Sequence, residues 1–222
     1  MKICELRNIE KKYHKGEEVI PLRNINLEVN PGDFIAIEGP SGIGKSTLLY
    51  VIGTLLKSDA GELIINGRNT EELSEKDLTN LRASEIGFIF QDSSMIQALT
   101  LRENLEFAER ISKGRKGYES KAAEYLEKLG LSDRANYLPY QLSGGQRRRA
   151  MVARALINSP KLILADEPTN DLDDAWSETV MKMLKEECKK GAAVIMVTHN
   201  DRWADGVTEK YCLSDGVLRA IK

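Results

Sequence analysis

Residues 39–46 read Gly39-Pro40-Ser41-Gly42-Ile43-Gly44-Lys45-Ser46, and Thr47 follows. They fit the pattern G-x-x-x-x-G-K-[ST] in full, and the chemistry of that pattern is the holding of phosphate. The glycines let the backbone curl so that successive N–H groups converge on anionic oxygens. A helix beginning at Lys45 would add the partial positive charge of its N-terminus. Lys45 can neutralise the β- and γ-phosphates of a nucleotide, and the Ser46 hydroxyl can take one position on Mg²⁺. The competing reading is a plain glycine-rich turn. At average glycine usage, a chance match in a chain of this length is about one in a hundred. The flanks make it rarer still, because apolar FIAIEG precedes the pattern and KSTLLYVIGTLL follows it.

A second group completes that chemistry. Lys161-Leu162-Ile163-Leu164-Ala165-Asp166-Glu167 is an apolar run ending in two carboxylates. Continuous apolar residues suit the middle of a parallel sheet, and ligands bind at the carboxyl ends of such strands. Asp166 is placed to hold Mg²⁺ through water, and Glu167 to polarise an attacking water. Alone, the pair would read as solvent-facing charges at a strand end. Beside a phosphate loop it reads as a hydrolytic site.

The elements that must position these residues alternate along the chain, the mark of an α/β protein with a largely parallel sheet. Candidate strands are Ile3–Ile9, Ile25–Val29, Phe34–Glu38, Glu62–Ile65, Gly87–Phe90, Leu162–Ala165, Ala193–Val197 and Lys210–Leu213. Helical stretches run near Lys45–Leu56, Leu101–Ser112, Tyr118–Leu129, Gly144–Ile157 and Asp173–Lys189. Turn signals stand at Pro31-Gly32, Asn66-Gly67 and Asp215-Gly216. Residues 90–142 lack a convincing strand and predict a helical subdomain. It is inserted into a core made of 1–89 and 143–222, all one domain.

Composition narrows the class. The 222 residues are 41% hydrophobic and 30% charged, with a net charge of -2. That charge lacks the basic excess of a nucleic-acid binder. The one basic run, Arg147-Arg148-Arg149, would fan around a helix and reads as a solvated helix face. The longest apolar stretch, Ala192–Val197, falls far below the roughly 20 residues a membrane span needs. The N-terminus carries charge where a signal peptide would be apolar. These features predict a cytoplasmic protein, peripheral if it serves a membrane. Cys4, Cys188 and Cys212 are far apart and offer neither a disulfide framework nor zinc spacing.

A phosphate loop leaves GTPases, kinases, helicases and transport ATPases open. Leu142-Ser143-Gly144-Gly145-Gln146 discriminates among them. It lies before a helix, so Ser143 can cap that helix while the glycine N–H groups face an anion. It is therefore a second phosphate-binding element. The absence of an N-K-x-D motif counts against a GTPase.

These residues resemble the signature of the ATP-binding cassette (ABC) family, and the rest of that family's pattern follows in order. Tyr13 resembles the aromatic residue that stacks on adenine. Gln91, in GFIFQD, resembles the glutamine that touches Mg²⁺ and water and leads into the contact with a transmembrane partner. Asn170-Asp171-Leu172-Asp173 resembles the loop that crosses to the opposing subunit, and His199 the switch histidine at the γ-phosphate. YHKGEEVIPLRNINLEV, GPSGIGKSTLLYVIGTL, LRASEIGFIFQD and LTLRENL are similar to the lipoprotein-release, macrolide-export and cell-division (LolD, MacB, FtsE-like) group. Three positions depart from the family: Ile43 stands where a small residue is usual, Asp171 where a small residue or Asn is, and Asn200 where Asp is common.

The resemblance implies the fold of an ABC-type P-loop NTPase. Its core sheet is mainly parallel, with an N-terminal antiparallel β portion and an inserted helical subdomain. It implies a Mg²⁺-dependent ATPase whose two copies face head to tail. Gly39–Thr47 of one copy and Ser143–Gln146 of the other would grip each ATP, with Asp171 and Asp173 in the crossing loop. Ser46, Gln91 and Asp166 would hold the metal, and Glu167, His199 and Gln91 would act in hydrolysis. The opening and closing would drive a membrane permease, an exporter of lipoprotein, peptide or drug, docked near Gln91–Leu101. Met95, Ile96 and Leu99 would serve either that contact or the packing of the subdomain. A regulator that moves a transmembrane partner without transport is the alternative. Nucleic-acid machines with the same head carry coiled-coil or zinc-bearing insertions, which are absent from this sequence.

Overall fold

The computed structural model describes residues 1–15, 17–91, 94–113, 119–204 and 206–221. Its first five strands are β1 (Cys4–Lys15), β2 (Glu17–Val29), β3 (Phe34–Glu38), β4 (Ala60–Ile65) and β5 (Arg68–Asn69). Then come β6 (Ile86–Ile89), β7 (Leu162–Asp166), β8 (Ala193–Val197), β9 (Glu209–Ser214) and β10 (Val217–Ile221). The α-helices are α1 (Lys45–Ile52), α2 (Glu75–Ser84), α3 (Leu101–Lys113), α4 (Ala122–Lys128), α5 (Gly144–Leu156), α6 (Asp174–Lys189) and the short α7 (Asp201–Ala204).

Two sheets result. β2-β1-β4-β5 is antiparallel throughout, and β10-β9-β3-β8-β7-β6 is parallel except for its β9–β10 edge. The central strands β3, β7 and β8 alternate their side chains between two cores, as a sheet covered on both faces requires. Ile35, Ile37, Leu162, Leu164, Ile195 and Val197 join α1 and the antiparallel sheet in one core. Phe34, Ala36, Ile163, Ala165, Val194 and Met196 face the other way, onto α3, α4, α5 and α6. Among the described residues of 90–142 there is no strand, only α3, α4 and two 3₁₀ turns.

Several boundaries differ from expectation. β1 runs on from Ile9 to Lys15 through the polar segment EKKYHK, because it pairs there with a similarly long β2. None of Glu10–Tyr13 is buried to set an alternation, and the register shifts after Leu6 defeat a strict period of two. α2 was not expected at all. Of its residues only Leu81 is buried, so no apolar stripe announces it; Ser74 nevertheless caps it, accepting from the Asp77 N–H at 3.2 Å. α1 stops at Ile52 rather than Leu56, since Gly53 ends the helix. β10 follows the Asp215-Gly216 turn, whose two residues at φ 51° and 76° close a hairpin in register with β9. Tyr118, where one helix was expected to begin, lies outside the described residues; α4 starts at Ala122.

Candidate functional site

The phosphate-loop residues link β3 to α1. Gly39 has φ 148°, and a Cβ there would sit 2.5 Å from the Leu213 carbonyl oxygen. Gly44 has φ 116°, and a Cβ there would meet Pro21 within 3 Å. Each position therefore admits glycine alone, for reasons of both backbone and space. The first turn of α1 has no side-chain cap, whereas α2, α5 and α6 are capped by Ser74, Ser143 and Asp173. Its leading N–H groups are thus left to an external anion.

They open onto a cavity of about 460 Å³. One wall is Gly39, Ser41, Gly42, Gly44, Lys45, Ser46 and Thr47. The other is Gln91, Asp166, Glu167, Asn170, Val197 and His199, from three separate parts of the chain. A second cavity of about 510 Å³, between the end of α1 and α2, holds Lys57, Arg82, Glu71 and Glu75 but no curled glycine backbone. The candidate site is the smaller one.

Inside it, Lys45 Nζ donates to the carbonyls of Gly39 at 2.7 Å and Pro40 at 2.8 Å, which stations the ammonium over the loop. Asp166, at the end of β7, is 1% exposed. Burial pushes its carboxyl above the ordinary value, while the hydrogen bond from Ser46 pulls it down. Its Oδ2 has no hydrogen-bond partner. A divalent cation held between Ser46 Oγ and Asp166 would satisfy that oxygen and offset the burial cost, so these residues fit Mg²⁺. Glu167 adopts φ 49°, held by its N–H to Val197 O at 3.0 Å and by its own carbonyl accepting from Asn170 N at 3.2 Å. That kink turns it away from the strand, and its Oε1 lies 2.7 Å from His199 Nδ1. The His199 side chain is 70% exposed and faces the open side.

Other expected residues lie elsewhere. Pro40 and Ile43 belong to the loop but do not line the cavity; Ile43 packs against the core around α1. Tyr13 is half-buried on β1, paired with Val19 of β2, with the Lys11 ammonium 5.8 Å from its ring centroid. It does not line the cavity. Nor does any of Ser143, Gly144, Gly145 and Gln146. Those four open α5 with a reciprocal cap: Ser143 Oγ accepts from Gln146 N at 3.2 Å, and Gln146 Oε1 from Ser143 N at 3.0 Å. Asp171, at φ 62°, lies against that turn, its carbonyl 2.8 Å from where a Gly145 Cβ would be. Asp173 caps α6, accepting from Trp176 N at 2.9 Å.

Two readings change. The arginine run is not a solvated face: Arg148 is 4% and Arg149 9% exposed. Arg149 donates to Leu129 O at 2.6 Å and stacks on Trp176 at 3.9 Å. Arg148 donates to the carbonyls of Phe90 and Gln91. Consecutive charges hid this, because a run of like residues has no period to show which face is inward. Of the three apolar candidates, Met95 is core at 5% exposure, Leu99 is half-buried and Ile96 is exposed. Asn170 and Val197 were not expected in the cavity; the only signal was their place next to Glu167 and His199 in chain or ladder.

A sequence profile of the ABC transporter family matches residues 22–170. The lipoprotein-releasing system ATP-binding protein LolD 2 of Caulobacter vibrioides is 40% identical over 97% of this chain and 96% of its own. The macrolide export ATP-binding/permease protein MacB of Marinobacter nauticus is 39% identical over 97% of this chain, which spans 34% of that longer protein. The dimeric, post-hydrolysis structure of an ATP-binding cassette bound to ADP and Pi aligns with a TM-score of 0.92 at 39% identity. It covers 99% of this chain and 98% of that one.

Proposed function

The chain belongs to the ABC transporter family, and we propose that it is a subunit binding and hydrolysing Mg-ATP as a head-to-tail homodimer coupled to a membrane permease. One observation carries this reading. A single cavity gathers an uncapped, glycine-curled helix start, a buried carboxylate with a free oxygen and a Glu–His pair, while the second phosphate-binding turn at Ser143 lies outside it. A second copy would bring that turn to the nucleotide. LolD and MacB, named for lipoprotein release and macrolide export, support an exporter. Among the described residues no helix is long and apolar enough to cross a membrane.

In this mechanism the loop amides and Lys45 cradle the β- and γ-phosphates, and they are in place before charge develops. Ser46, Asp166 and Gln91 would hold Mg²⁺, which supplies charge neutralisation on the phosphates. Glu167 orients a water against the γ-phosphorus and holds its proton as the bond to the β–γ bridging oxygen breaks, leaving ADP and phosphate. His199 fixes the Glu167 carboxylate and reaches the γ-phosphate. Closure of the dimer excludes water, and loss of the bridging phosphate parts the halves. Residues 90–142 act as a helical subdomain that transmits this motion. Exposed Ile96 and the groove of Phe88, Phe90, Ile111 and Arg154 beside Gln91 offer the permease a surface. Affinity purification of the chain from native membranes tests the assignment: an integral membrane permease should accompany it and stimulate its ATPase. Capture of the folded chain from membranes with no such partner would remove the transporter half of the reading.

Tyr13→Ala should raise the KM for ATP with less effect on kcat. Stacking on adenine is binding shared by ground and transition states, worth about 1–3 kcal/mol where bases stack on aromatics elsewhere. Stacking reads no base edge, so GTP should also be hydrolysed. Steady-state kinetics with both nucleotides check it; an unchanged KM would make Tyr13 a hairpin residue only.

A further inference from the structure

Arg148 lies in the second turn of α5, five residues past Ser143, and is 4% exposed. Its Nη1 donates to Phe90 O at 2.7 Å and its Nη2 to Gln91 O at 2.6 Å. The same Nη2 stands 4.0 Å from Asp171 Oδ2, and its charge reaches Asp166, favouring the ionised carboxylate there. Phe90 and Gln91 follow the last residue of β6, so no strand ladder engages their carbonyls. Carbonyls without a ladder partner need another donor wherever the fold screens them from water, and one guanidinium supplies both. A buried guanidinium is itself costly unless its N–H groups are paired. The rigid fork of two donors holds two successive carbonyls in one fixed geometry, which the rotatable donors of an ammonium on a flexible stem do not impose.

The arrangement therefore ties three things to one side chain. They are the helix that presents Ser143, the main chain that aims Gln91 into the nucleotide cavity, and the carboxylate of the loop at Asp171. We propose that Arg148 is a positioning residue that couples the signature helix to Gln91, so that Gln91 reaches the cavity only as α5 takes its place. The inference rests on the reading of Gln91 given under Proposed function. Arg148 does not line the cavity; it acts through Gln91. A shift of α5 moves the Gln91 main chain with it, and Gln91 then leaves the cavity wall it shares with Asp166 and Ser46.

The test measures kcat, KM and ATP affinity of the full chain carrying Arg148→Lys, Gln91→Ala or both. Arg148→Gln, which keeps one amide donor for one carbonyl, replaces Arg148→Lys if that variant does not fold. Binding of a fluorescent ATP analogue serves as the folding control. A misplacement of about 1 Å costs on the order of 10²-fold in rate. Arg148→Lys should therefore lower kcat by up to about that factor and leave KM and affinity for ATP nearly unchanged. In the Gln91→Ala background it should cause no further loss, because the group it positions is gone. A kcat loss that multiplies with that of Gln91→Ala, a rise in KM without a fall in kcat, or no loss at all overturns the inference while leaving Gln91 its role. Wild-type turnover by Gln91→Ala alone overturns both.

Discussion

Glu167→Gln is expected to bind ATP with wild-type affinity, to lose nearly all turnover and to accumulate as an ATP-bound dimer. Glutamine has the same shape and preserves an acceptor oxygen, so the kink at φ 49° and the contact toward His199 survive. What disappears is the capacity to hold the proton released by water. General-base contributions are typically about 10²–10⁴-fold, and the loss in kcat should fall in that range. ATP affinity should stand, because the residues proposed to grip the phosphates, the loop amides and Lys45, form the opposite wall. With hydrolysis blocked, the bridging phosphates persist, and size exclusion with ATP should show a dimer where the nucleotide-free chain runs as a monomer. A variant that turns over ATP near the wild-type rate would take Glu167 out of its role. His199→Ala provides a graded companion. With its proton on Nδ1 the ring donates to Glu167 at 2.7 Å, so its removal frees the carboxylate to wander without deleting it. It should lose less than Glu167→Gln.

The cavity wall on the phosphate side was legible in the sequence because its residues are contiguous. Gly39–Thr47 carries its geometry in its own glycines, and the apolar runs on either side fix the strand and the helix. Asp166 and Glu167 were legible for a related reason: an uninterrupted apolar strand points to the carboxyl end of a parallel sheet. The arginines were not. Arg148 is buried through two carbonyls from residues 90 and 91 and Arg149 through a stack on Trp176, and both partners are set by tertiary packing. α2 was hidden because it covers the core with little more than Leu81 and announces itself only by its cap. The N-terminal hairpin was truncated because its outer half, up to Lys15 and Glu17, is held by ladder bonds between two long strands, and Glu10–Tyr13 bring no buried side chain to mark it.

The second large effect expected is recovery of activity by mixing two dead variants, Lys45→Ala and Ser143→Arg. Lys45→Ala loses the ammonium stationed over the phosphate loop and should bind ATP weakly. Ser143→Arg puts a bulky cation at the turn proposed to meet the partner's nucleotide. It also removes the cap on Gln146 N, a loss of about 1 kcal/mol that the 13-residue helix should survive, as a melting curve will show. Ser143 does not line the cavity that holds Lys45, so within one chain the two lesions lie in different places. In a head-to-tail heterodimer one composite site carries both lesions and the other carries neither. Mixing should then restore part of the wild-type ATPase, because one intact site is rebuilt. A site wholly within one chain predicts no recovery, since every subunit still bears a lesion. Strict coupling of the two sites would also silence the mixture, so a cross-link decides. Ser143→Cys in one chain and Ser41→Cys in the other should form a disulfide only with ATP present. Cys4 and Cys188 are buried, and Cys212, half-buried, is first replaced by Ser. No recovery together with no ATP-dependent cross-link would end the shared-site dimer.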